Sequence, residues 1–313
     1  MKIDRFCRGA AALCGLILIW SVSTEGAKAM ELDLSRLHTG SEVSEAYVDP
    51  AGTASAYEYD RESLDYKLVW SDEFDADGAP DPEKWAYETG GSGWGNNELQ
   101  YYTDGDNARI EGGLLLLRLA KEARGGRDYT STRLVTAGRQ SWLYGKFEIR
   151  AKLPSGLGTW PAIWMMPQRS DYGSWPASGE IDIMEHVGAV QDEVSSSIHT
   201  KAYNHVIGTQ KTAARRVRGV SEEFHTYTLE WLPDRIITYV DGDRLFSYDP
   251  ARVKADYGYG EWPFDKPFFL ILNIAFGGNW GGMRGVDEGI LPQEMAVDYV
   301  RVYQSEKIKE ITQ

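Results

Sequence analysis

Three carboxylates stand close together in the apolar segment GEIDIMEHVG, which spans residues 179–188. They are Glu180, Asp182 and Glu185, and such side chains can serve as nucleophile, general acid or general base. In a β-strand, side chains two residues apart share a face, so Glu180 and Asp182 would lie together while Glu185 would face the other way. A helix does no better, because its neighbours are three and four residues apart. The acids can act together only if the chain has a local irregularity.

A β-bulge would bring the three acids to one face. The extra residue of a bulge flips the alternation beyond it, and we predict this irregularity at Met184. Regular pairing through Met184 would instead leave Glu185 beneath the sheet. The neighbouring Ile181 and Ile183 indicate a substantially buried strand, which disfavours the simpler alternative of three solvated acids on an edge strand.

Paired carboxyl groups of this kind would suit the cleavage of glycosidic bonds. Glycosidases that retain the anomeric configuration need two carboxyls about 5–5.5 Å apart, one as nucleophile and the other as acid/base. Asp182, between the two glutamates, would hydrogen-bond the nucleophile and adjust its pKa. A metal site that combines the acids with His186 or His199 is an alternative, although the spacing of these residues matches no established metal-binding motif.

The elements that must position the acids are short strands. YGKFEIRAKLP alternates apolar and charged residues, which predicts a half-buried strand. RIITYVDGDRLFSY contains two strand-like runs about Asp241-Gly242, which predicts a hairpin. FFLILNIAF and MAVDYVRVY are further strands by their β-branched and aromatic content. Because long amphipathic helices and internal repeats are missing, the sequence predicts a large all-β sandwich or barrel.

The first residues of the chain have the pattern of a secretory signal. Basic residues precede an apolar run and an Ala-Lys-Ala site, so residues 1–29 are predicted to be removed on export. Both cysteines of the chain, Cys7 and Cys14, fall inside this segment, which leaves a mature chain without disulfides. Residues 30–64 are rich in small and acidic residues and are predicted to be a spacer of disordered composition. We therefore expect a secreted protein, either extracellular or periplasmic.

The net charge limits the partners of the protein. It is −14 for the chain of 313 residues, and removal of residues 1–29 makes it about −16. Nucleic acids and anionic membranes would be repelled by this charge. Once the signal is cleaved, we therefore expect neither of them as a partner.

The tryptophans fall into two groups. Trp70, Trp85 and Trp231 lie in ordinary apolar runs and are expected in the core. Trp94 and Trp280 lie in glycine-rich loops that a core does not need. Because sugars present flat faces of C–H groups, we interpret these two as aromatic platforms for carbohydrate.

Five motifs together resemble glycoside hydrolase family 16, in its endo-β-1,3-glucanase (laminarinase) branch. They are GWGNNELQYYT, GTWPAIWMMP, GEIDIMEHVG, SSSIHT and VDYVRVYQ. The resemblance runs from about Tyr66 to Gln304 and implies a catalytic domain at residues 65–306, followed by a C-terminal tail at residues 307–313. It also implies a β-jelly-roll sandwich of two curved antiparallel sheets with a concave substrate cleft, and a retaining mechanism.

The resemblance assigns a role to individual residues. Glu180 matches the nucleophile, Glu185 the general acid/base, and Asp182 the assisting acid between them. Substrate-binding positions of the family are matched by Trp160, Trp164, His199, Asn96, Glu98 and Arg133. No cofactor is implied for catalysis, but a structural calcium is, held by Glu73, the backbone of Gly112 and Asp298. The alternative at these three positions is a set of ordinary surface residues without an ion.

The expected function is that of a secreted, retaining endo-β-1,3-glucanase that acts as a monomer on β-glucan. A mixed-linkage β-1,3/1,4-glucanase of the same family is the first alternative, because loops decide specificity on this fold. A β-glucan-binding protein without turnover is the second. Such relatives lose the catalytic glutamates, whereas this chain keeps Glu180 and Glu185.

Overall fold

The computed structural model describes residue 57 and residues 59–313. The predicted signal at residues 1–29 and most of the predicted spacer at residues 30–64 lie outside the described residues. The strands of the described chain are β1 (Tyr66–Asp72), β2 (Ala86–Tyr87), β3 (Gln100–Tyr102), β4 (Ala108–Glu111), β5 (Leu114–Leu119), β6 (Tyr129–Ser131), β7 (Arg133–Val135), β8 (Gly145–Lys152), β9 (Thr159–Pro167), β10 (Glu180–Glu185), β11 (Glu193–His199), β12 (Lys211–Arg216), β13 (His225–Leu232), β14 (Arg235–Val240), β15 (Asp243–Tyr248), β16 (Phe268–Phe276) and β17 (Gln293–Ser305).

Helices are few and short in this part of the chain. The α-helices are α1 (Pro250–Val253), α2 (Gly278–Gly281) and α3 (Glu306–Ile311). Single turns of 3-10 helix lie at Arg61–Ser63, His205–Ile207 and Glu288–Ile290. None of the helices described is long and apolar enough to cross a bilayer.

Two antiparallel sheets form the body of the protein. One has eight strands in the order β15-β14-β13-β8-β17-β5-β4, with β1 also paired to β17. The other has seven strands in the order β12-β11-β10-β9-β16-β7-β2. Strands β3 and β6 make a small parallel pair beside them. The predicted all-β sandwich is confirmed, and β10 lies near the middle of the seven-stranded sheet.

The two sheets share one hydrophobic core. Phe147 and Tyr227 of the eight-stranded sheet belong to the same buried cluster as Ile163 and Leu270 of the seven-stranded sheet. The face of the seven-stranded sheet that is turned away from this cluster is called the site face below. Such a core is closely packed and therefore a rigid support for the side chains of the site face. Removal of one large side chain from it costs about 2–5 kcal/mol.

Local sequence patterns agree with the strands that contain them. In β8, Phe147, Ile149 and Ala151 are fully buried while the charged residues between them are only partly so, as predicted for a half-buried strand. The predicted hairpin is also confirmed, since β14 pairs with β15 and Val240 lies opposite Asp243. Its two turn residues both have positive φ, 53° and 85°, which is the conformation that an Asp-Gly turn favours.

The packed chain extends beyond the strands at both ends. The Tyr59 hydroxyl donates a hydrogen bond to Asp234 at 2.5 Å, and its ring packs against the core. At the other end, Ile308 of α3 is buried in the same core. Residues on both sides of the predicted 65–306 boundaries therefore belong to the folded unit.

Of the tryptophans expected in the core, Trp85 and Trp231 are fully buried there. Trp70 is partly buried against the same cluster, where its ring meets that of Trp85 edge to face at 5.7 Å. The assignment of these three residues to the core is confirmed.

Candidate active site

Strand β10 contains the predicted bulge. Against β9, Asp182 lies opposite Trp164, but Met184 lies opposite Ile163, so β10 has one more residue than its neighbour in this stretch. The register against β11 shifts between Asp182 and Glu185 as well. The bulge is therefore confirmed on both sides of the strand, at the position expected from the spacing of the acids.

The bulge separates the acids from the apolar residues around them. Ile183 and Met184 are consecutive, yet both belong to the hydrophobic core. The extra core residue restores the parity, so that Glu185 joins Glu180 and Asp182 on the site face. A regular strand would have placed Met184 beside the acids and Glu185 in the core.

Serine residues of β11 lie next to the bulge in β10. The Oγ atom of Ser196 donates to the backbone carbonyl of Asp182 at 2.7 Å, which satisfies a backbone group at the irregularity. Ser197 and Ser195 lie opposite Asp182 and Glu185. Their side chains are small and leave room beside the carboxyl groups.

The carboxyl group of Glu180 lies next to Trp175 and His199, and a tightly packed turn precedes Glu180 in the chain. The indole Nε1 of Trp175 donates to its Oε2 at 2.5 Å, and His199 Nε2 lies 3.9 Å from its Oε1. The preceding Gly179 has a φ of 90°, and a Cβ there would lie 2.9 Å from the ring of Phe264. Only glycine suits this position, and the tight turn sets the point at which Glu180 enters the sheet.

Asp182 is the most deeply buried of the three acids, with 2% of the residue exposed. Its Oδ2 lies 3.2 Å from His199 Nε2. The imidazole thus lies next to both Asp182 and Glu180. His199, predicted to bind substrate, is placed at the acids themselves.

Glu185 lies at the far end of the row of acids, against aromatic residues. The indole Nε1 of Trp160 donates to its Oε1 at 3.2 Å. The ring of Trp160 in turn meets Trp280 edge to face, with 5.4 Å between ring centroids. Both tryptophans are partly exposed. The sequence had singled out these two residues separately, and the structure brings them together beside Glu185.

The three carboxyl groups crowd one another in a poorly solvated place. Burial, followed by the charge of Asp182, raises the pKa of Glu180, while His199 and the indole N–H of Trp175 oppose this. Burial also raises the pKa of Asp182. The pKa of Glu185 rises well above its usual range, again through burial first and then through the charge of Asp182. Burial thus raises the pKa of Glu180 to about 8 and that of Glu185 well above its usual range, and in both cases His199 and one indole N–H oppose the rise.

A second aromatic group lies further along the site face. The guanidinium of Arg133 is 4.7 Å from the ring centroid of Trp94 and 4.6 Å from that of Trp164. Its Nε donates to Glu88 at 2.5 Å, which holds the guanidinium in place. The predicted substrate residues Arg133, Trp94 and Trp164 thus form one partly exposed cluster.

Glu98 has protein partners rather than an open position. It is 6% exposed and accepts hydrogen bonds from Gln100 at 2.6 Å and from the Tyr102 hydroxyl at 3.3 Å. Asn273 donates to the same hydroxyl at 3.0 Å and accepts from the indole of Trp164 at 2.7 Å. Glu98 therefore reaches the site face through a chain of hydrogen bonds that ends at Trp164.

Asn96 lies at the entrance to this chain of hydrogen bonds. Its amide approaches Glu98 at 3.4 Å, which is long for a hydrogen bond, and the residue is partly exposed. Asn96 is thus better placed than Glu98 to meet a ligand.

The residues predicted to hold calcium have other partners. Glu73 accepts two hydrogen bonds from Arg301, at 3.0 and 2.7 Å, and Asp298 accepts one from Arg150 at 2.5 Å. The backbone N–H of Gly112 donates to Asp77 at 2.8 Å. Both predicted carboxylate ligands are thus paired with arginines in this structure, and the calcium stays a prediction.

Sequence reasoning missed several residues of the site. Trp175 was not singled out, although it lies in the Gly- and Ser-containing loop before β10 and shares the loop context that pointed to Trp94. Asn273 gave no signal, because it lies in the apolar strand β16 and reaches the site through pairing with β9. Tyr102 stands in the quoted motif GWGNNELQYYT but was not singled out. His186, considered as a metal ligand, is buried with its Nδ1 2.8 Å from the backbone oxygen of Glu193.

Comparison with known proteins agrees with this site. Residues 94–301 match the family model of glycosyl hydrolases family 16. The chain is 56% identical over 245 residues to a beta-glucanase of Rhodothermus marinus, covering 76% of this chain and 85% of that protein. It is 41% identical to a glucan endo-1,3-beta-glucosidase of Cryptopygus antarcticus over 248 residues, covering 75% of this chain and 90% of that protein.

The fold has a close counterpart among solved structures. The X-ray structure of the laminarinase from Rhodothermus marinus matches with a TM-score of 0.76 and 53% identity, covering 78% of this chain and 99% of that chain. This agreement confirms the predicted jelly-roll class. The match to the family model spans β10 and its bulge, where the two glutamates face the same side. The chain therefore belongs to glycosyl hydrolases family 16 and is a glycoside hydrolase.

Proposed function

We propose that this protein is a secreted, retaining endo-β-1,3-glucanase. The observation that carries the proposal is the bulge in β10, which puts Glu180 and Glu185 on one face with different neighbours. The substrate class is supported by the relatives, which are named beta-glucanase, glucan endo-1,3-beta-glucosidase and laminarinase. Export is supported by the signal pattern of residues 1–29.

In the first step, ionised Glu180 attacks the anomeric carbon while protonated Glu185 gives its proton to the departing glycosidic oxygen. In the second step, Glu185, now ionised, takes a proton from water, and the water hydrolyses the glycosyl-enzyme with net retention. The raised pKa of Glu185 keeps its proton available for the first step. The indole N–H of Trp175 stabilises the anionic form of Glu180.

Asp182 would share a proton with the neighbouring Glu180. Its pKa and that of Glu180 are both raised by burial, so one proton between the two relieves their repulsion. When Asp182 holds that proton, Glu180 is free to act as an anion. Asp182 is thus an assisting acid rather than a second nucleophile.

The aromatic groups on either side of the acids would hold the glucan. Trp160 and Trp280 lie beside Glu185, and Trp94 and Trp164 enclose the guanidinium of Arg133. Indole rings offer flat apolar surfaces to the C–H faces of sugar rings, while the guanidinium donates to hydroxyl groups. A neutral glucan suits a chain with a net charge of −14 better than an acidic polysaccharide does.

Stereochemical rescue of two variants tests the roles of the glutamates. Glu180→Ala should abolish hydrolysis of laminarin, and azide should restore cleavage of an activated β-glycoside to give an α-glycosyl azide. Glu185→Ala should give the β-glycosyl azide instead, because azide then attacks the glycosyl-enzyme. Glu148→Ala, on the other sheet, is the matched control and should keep full activity. Full activity of Glu180→Ala, or the same anomer from both variants, would end the assignment.

The same preparation separates the alternative functions. New reducing ends on laminarin indicate hydrolysis, whereas binding without new ends would indicate a β-glucan-binding protein. Parallel product profiles on laminarin, barley β-glucan and agarose test the linkage. Laminarin should be the best substrate, and a preference for barley β-glucan would replace the proposal with a mixed-linkage glucanase.

A further inference from the structure

Three potential metal ligands converge at the acidic end of the site. Glu180, Asp182 and His199 each offer one ligand atom, and these atoms all lie within 4.8 Å of one another. His199 Nε2 is 3.2 Å from Asp182 Oδ2 and 3.9 Å from Glu180 Oε1. Zinc bonds of about 2.0–2.2 Å place two ligand atoms roughly 3.0–3.5 Å apart. The two distances to His199, 3.9 and 3.2 Å, therefore need to change by well under an ångström.

The converging atoms are available for coordination. Trp175 donates to Oε2 of Glu180, which leaves Oε1 facing His199. Oδ2 of Asp182 is buried and has no hydrogen-bond partner among the described residues. Nδ1 of His199 also has no hydrogen-bond partner among the described residues, and its Nε2 faces Asp182 Oδ2. Burial of a carboxylate oxygen without a hydrogen-bond donor costs free energy. A cation bound between this oxygen and the imidazole nitrogen 3.2 Å away would remove that cost.

We propose that a divalent first-row transition ion, such as zinc or copper, binds across Glu180, Asp182 and His199. An imidazole nitrogen with two carboxylates suits zinc, copper and nickel, whereas calcium takes six to eight oxygen ligands. The ion would replace the protons that these acids otherwise share. Glu185 stays outside the set, because its carboxyl group is held by Trp160.

Occupation of this site would block catalysis. Glu180 Oε1 is the oxygen that faces His199, and coordination removes the free carboxylate that the proposed mechanism needs. Its side chain is 15% exposed, so the site is reached from the same side as the substrate. The inhibition rests on the proposed function, whereas the binding of the ion does not. The site would make the enzyme sensitive to free transition metals, with inhibition competitive against glucan.

Calorimetric titration of the mature chain with zinc chloride tests the binding. Wild type should take up one ion per chain. His199→Gln should bind at least about 10–100-fold more weakly, the loss that already follows from removing a support of a metal ligand. His205→Gln is the matched control, because His205 is exposed, its ring lies 5.2 Å from that of His199, and it is not one of the three ligands. Folding of both variants is checked by circular dichroism.

Unchanged affinity in folded His199→Gln, or an equal loss in His205→Gln, would overturn the proposal. A spectroscopic measurement keeps the test independent of variant folding. Copper(II) added to His205→Gln should show nitrogen hyperfine coupling in its electron paramagnetic resonance spectrum. A spectrum with oxygen ligands alone would refute coordination by His199.

Kinetics distinguish failure of this site from failure of the proposed function. Zinc should raise KM for laminarin without lowering kcat, EDTA should reverse the effect, and inhibition should strengthen from manganese through cobalt and nickel to copper. Magnesium and calcium should not inhibit. A metal-free chain that binds zinc but never cleaves laminarin would contradict the proposed function alone. A chain that cleaves laminarin and takes up no zinc would contradict this inference alone.

Discussion

Replacing Trp175 by Phe removes the hydrogen bond to Glu180 and keeps an aromatic ring. The indole Nε1 donates to Oε2 of Glu180 at 2.5 Å, and phenylalanine has no such donor. The ring of Trp175 also lies 6.0 Å from His199 and 5.0 Å from His205, where a phenyl ring preserves part of the packing. The substitution therefore mainly tests whether this N–H stabilises the anionic nucleophile.

The size of the effect follows from the charge of the acceptor. A hydrogen bond to a charged group contributes about 1.5–3 kcal/mol, and about 1.4 kcal/mol corresponds to a factor of ten. We expect kcat/KM of Trp175→Phe to fall by roughly 10–150-fold at the acidic side of the pH profile. Because the lost donor favoured the charged form, the pKa of Glu180 rises and the acidic limb moves to higher pH, by roughly 1–2 units.

Two further Trp→Phe variants serve as controls. Trp160 donates to Glu185 at 3.2 Å, so Trp160→Phe should raise the pKa of Glu185, the proposed acid/base, and move the alkaline limb to higher pH. Trp164 donates to Asn273 at 2.7 Å and not to a carboxylate, so Trp164→Phe should raise KM and leave both limbs in place. The assay is the release of reducing ends from laminarin, with kcat/KM measured from pH 4 to pH 9.

A fall in kcat/KM of less than about twofold across the profile in Trp175→Phe would contradict a role of this N–H in stabilising the anion of Glu180. A shift of the alkaline limb with an unchanged acidic limb would contradict it as well. A rise in KM with both limbs unchanged would make Trp175 a sugar platform only.

Four other changes have defined outcomes. Glu98→Gln removes the charged end of the hydrogen-bond chain to Trp164 and should raise KM for laminarin more than it lowers kcat. Met184→Ala leaves a cavity under the bulge and should cost about 2–5 kcal/mol of unfolding free energy in urea. Glu185→Gln should raise the melting temperature at pH 8 and not at pH 4, because a buried acid whose pKa is raised in the folded state destabilises the protein as pH rises above its unfolded pKa. If calcium binds where the family resemblance implies, calcium should raise the melting temperature relative to EDTA, and Asp298→Asn should abolish that difference.

Each of these four predictions has an outcome that would contradict it. Glu98→Gln with equal falls in kcat and kcat/KM would place Glu98 in the reaction itself. A neutral Met184→Ala would mean that the bulge region repacks, and an unstabilised Glu185→Gln at pH 8 would mean that Glu185 is well solvated. An equal calcium effect in Asp298→Asn would move any calcium site elsewhere.

Much of the fold could be predicted because its signals are local. The alternation in β8 and the Asp-Gly turn between β14 and β15 depend on residues next to each other in the chain. The bulge could be predicted for the same reason, because its signal is the spacing of residues within one strand. In an all-β chain, Glu185 can share a face with Glu180 and Asp182 only through an extra residue, and the structure has it beside Met184.

The surroundings of the acids could not be predicted in this way. Trp164 lies opposite Asp182 only because β9 pairs with β10, and Asn273 reaches Trp164 only because β16 pairs with β9. Such contacts depend on strand order, which the residues of one strand do not encode.

From the sequence by itself, a bulge could be predicted as the irregularity that brings three carboxylates to one face, since spacing along the chain sets the direction of each side chain. Only the tertiary structure decided the surroundings of each acid. Trp175 and His199 come to Glu180 from outside its strand, and Trp160 comes to Glu185 from another. These neighbours, together with burial, shift the pKa values of the acids, because the pKa of a carboxyl group depends on what surrounds it in space.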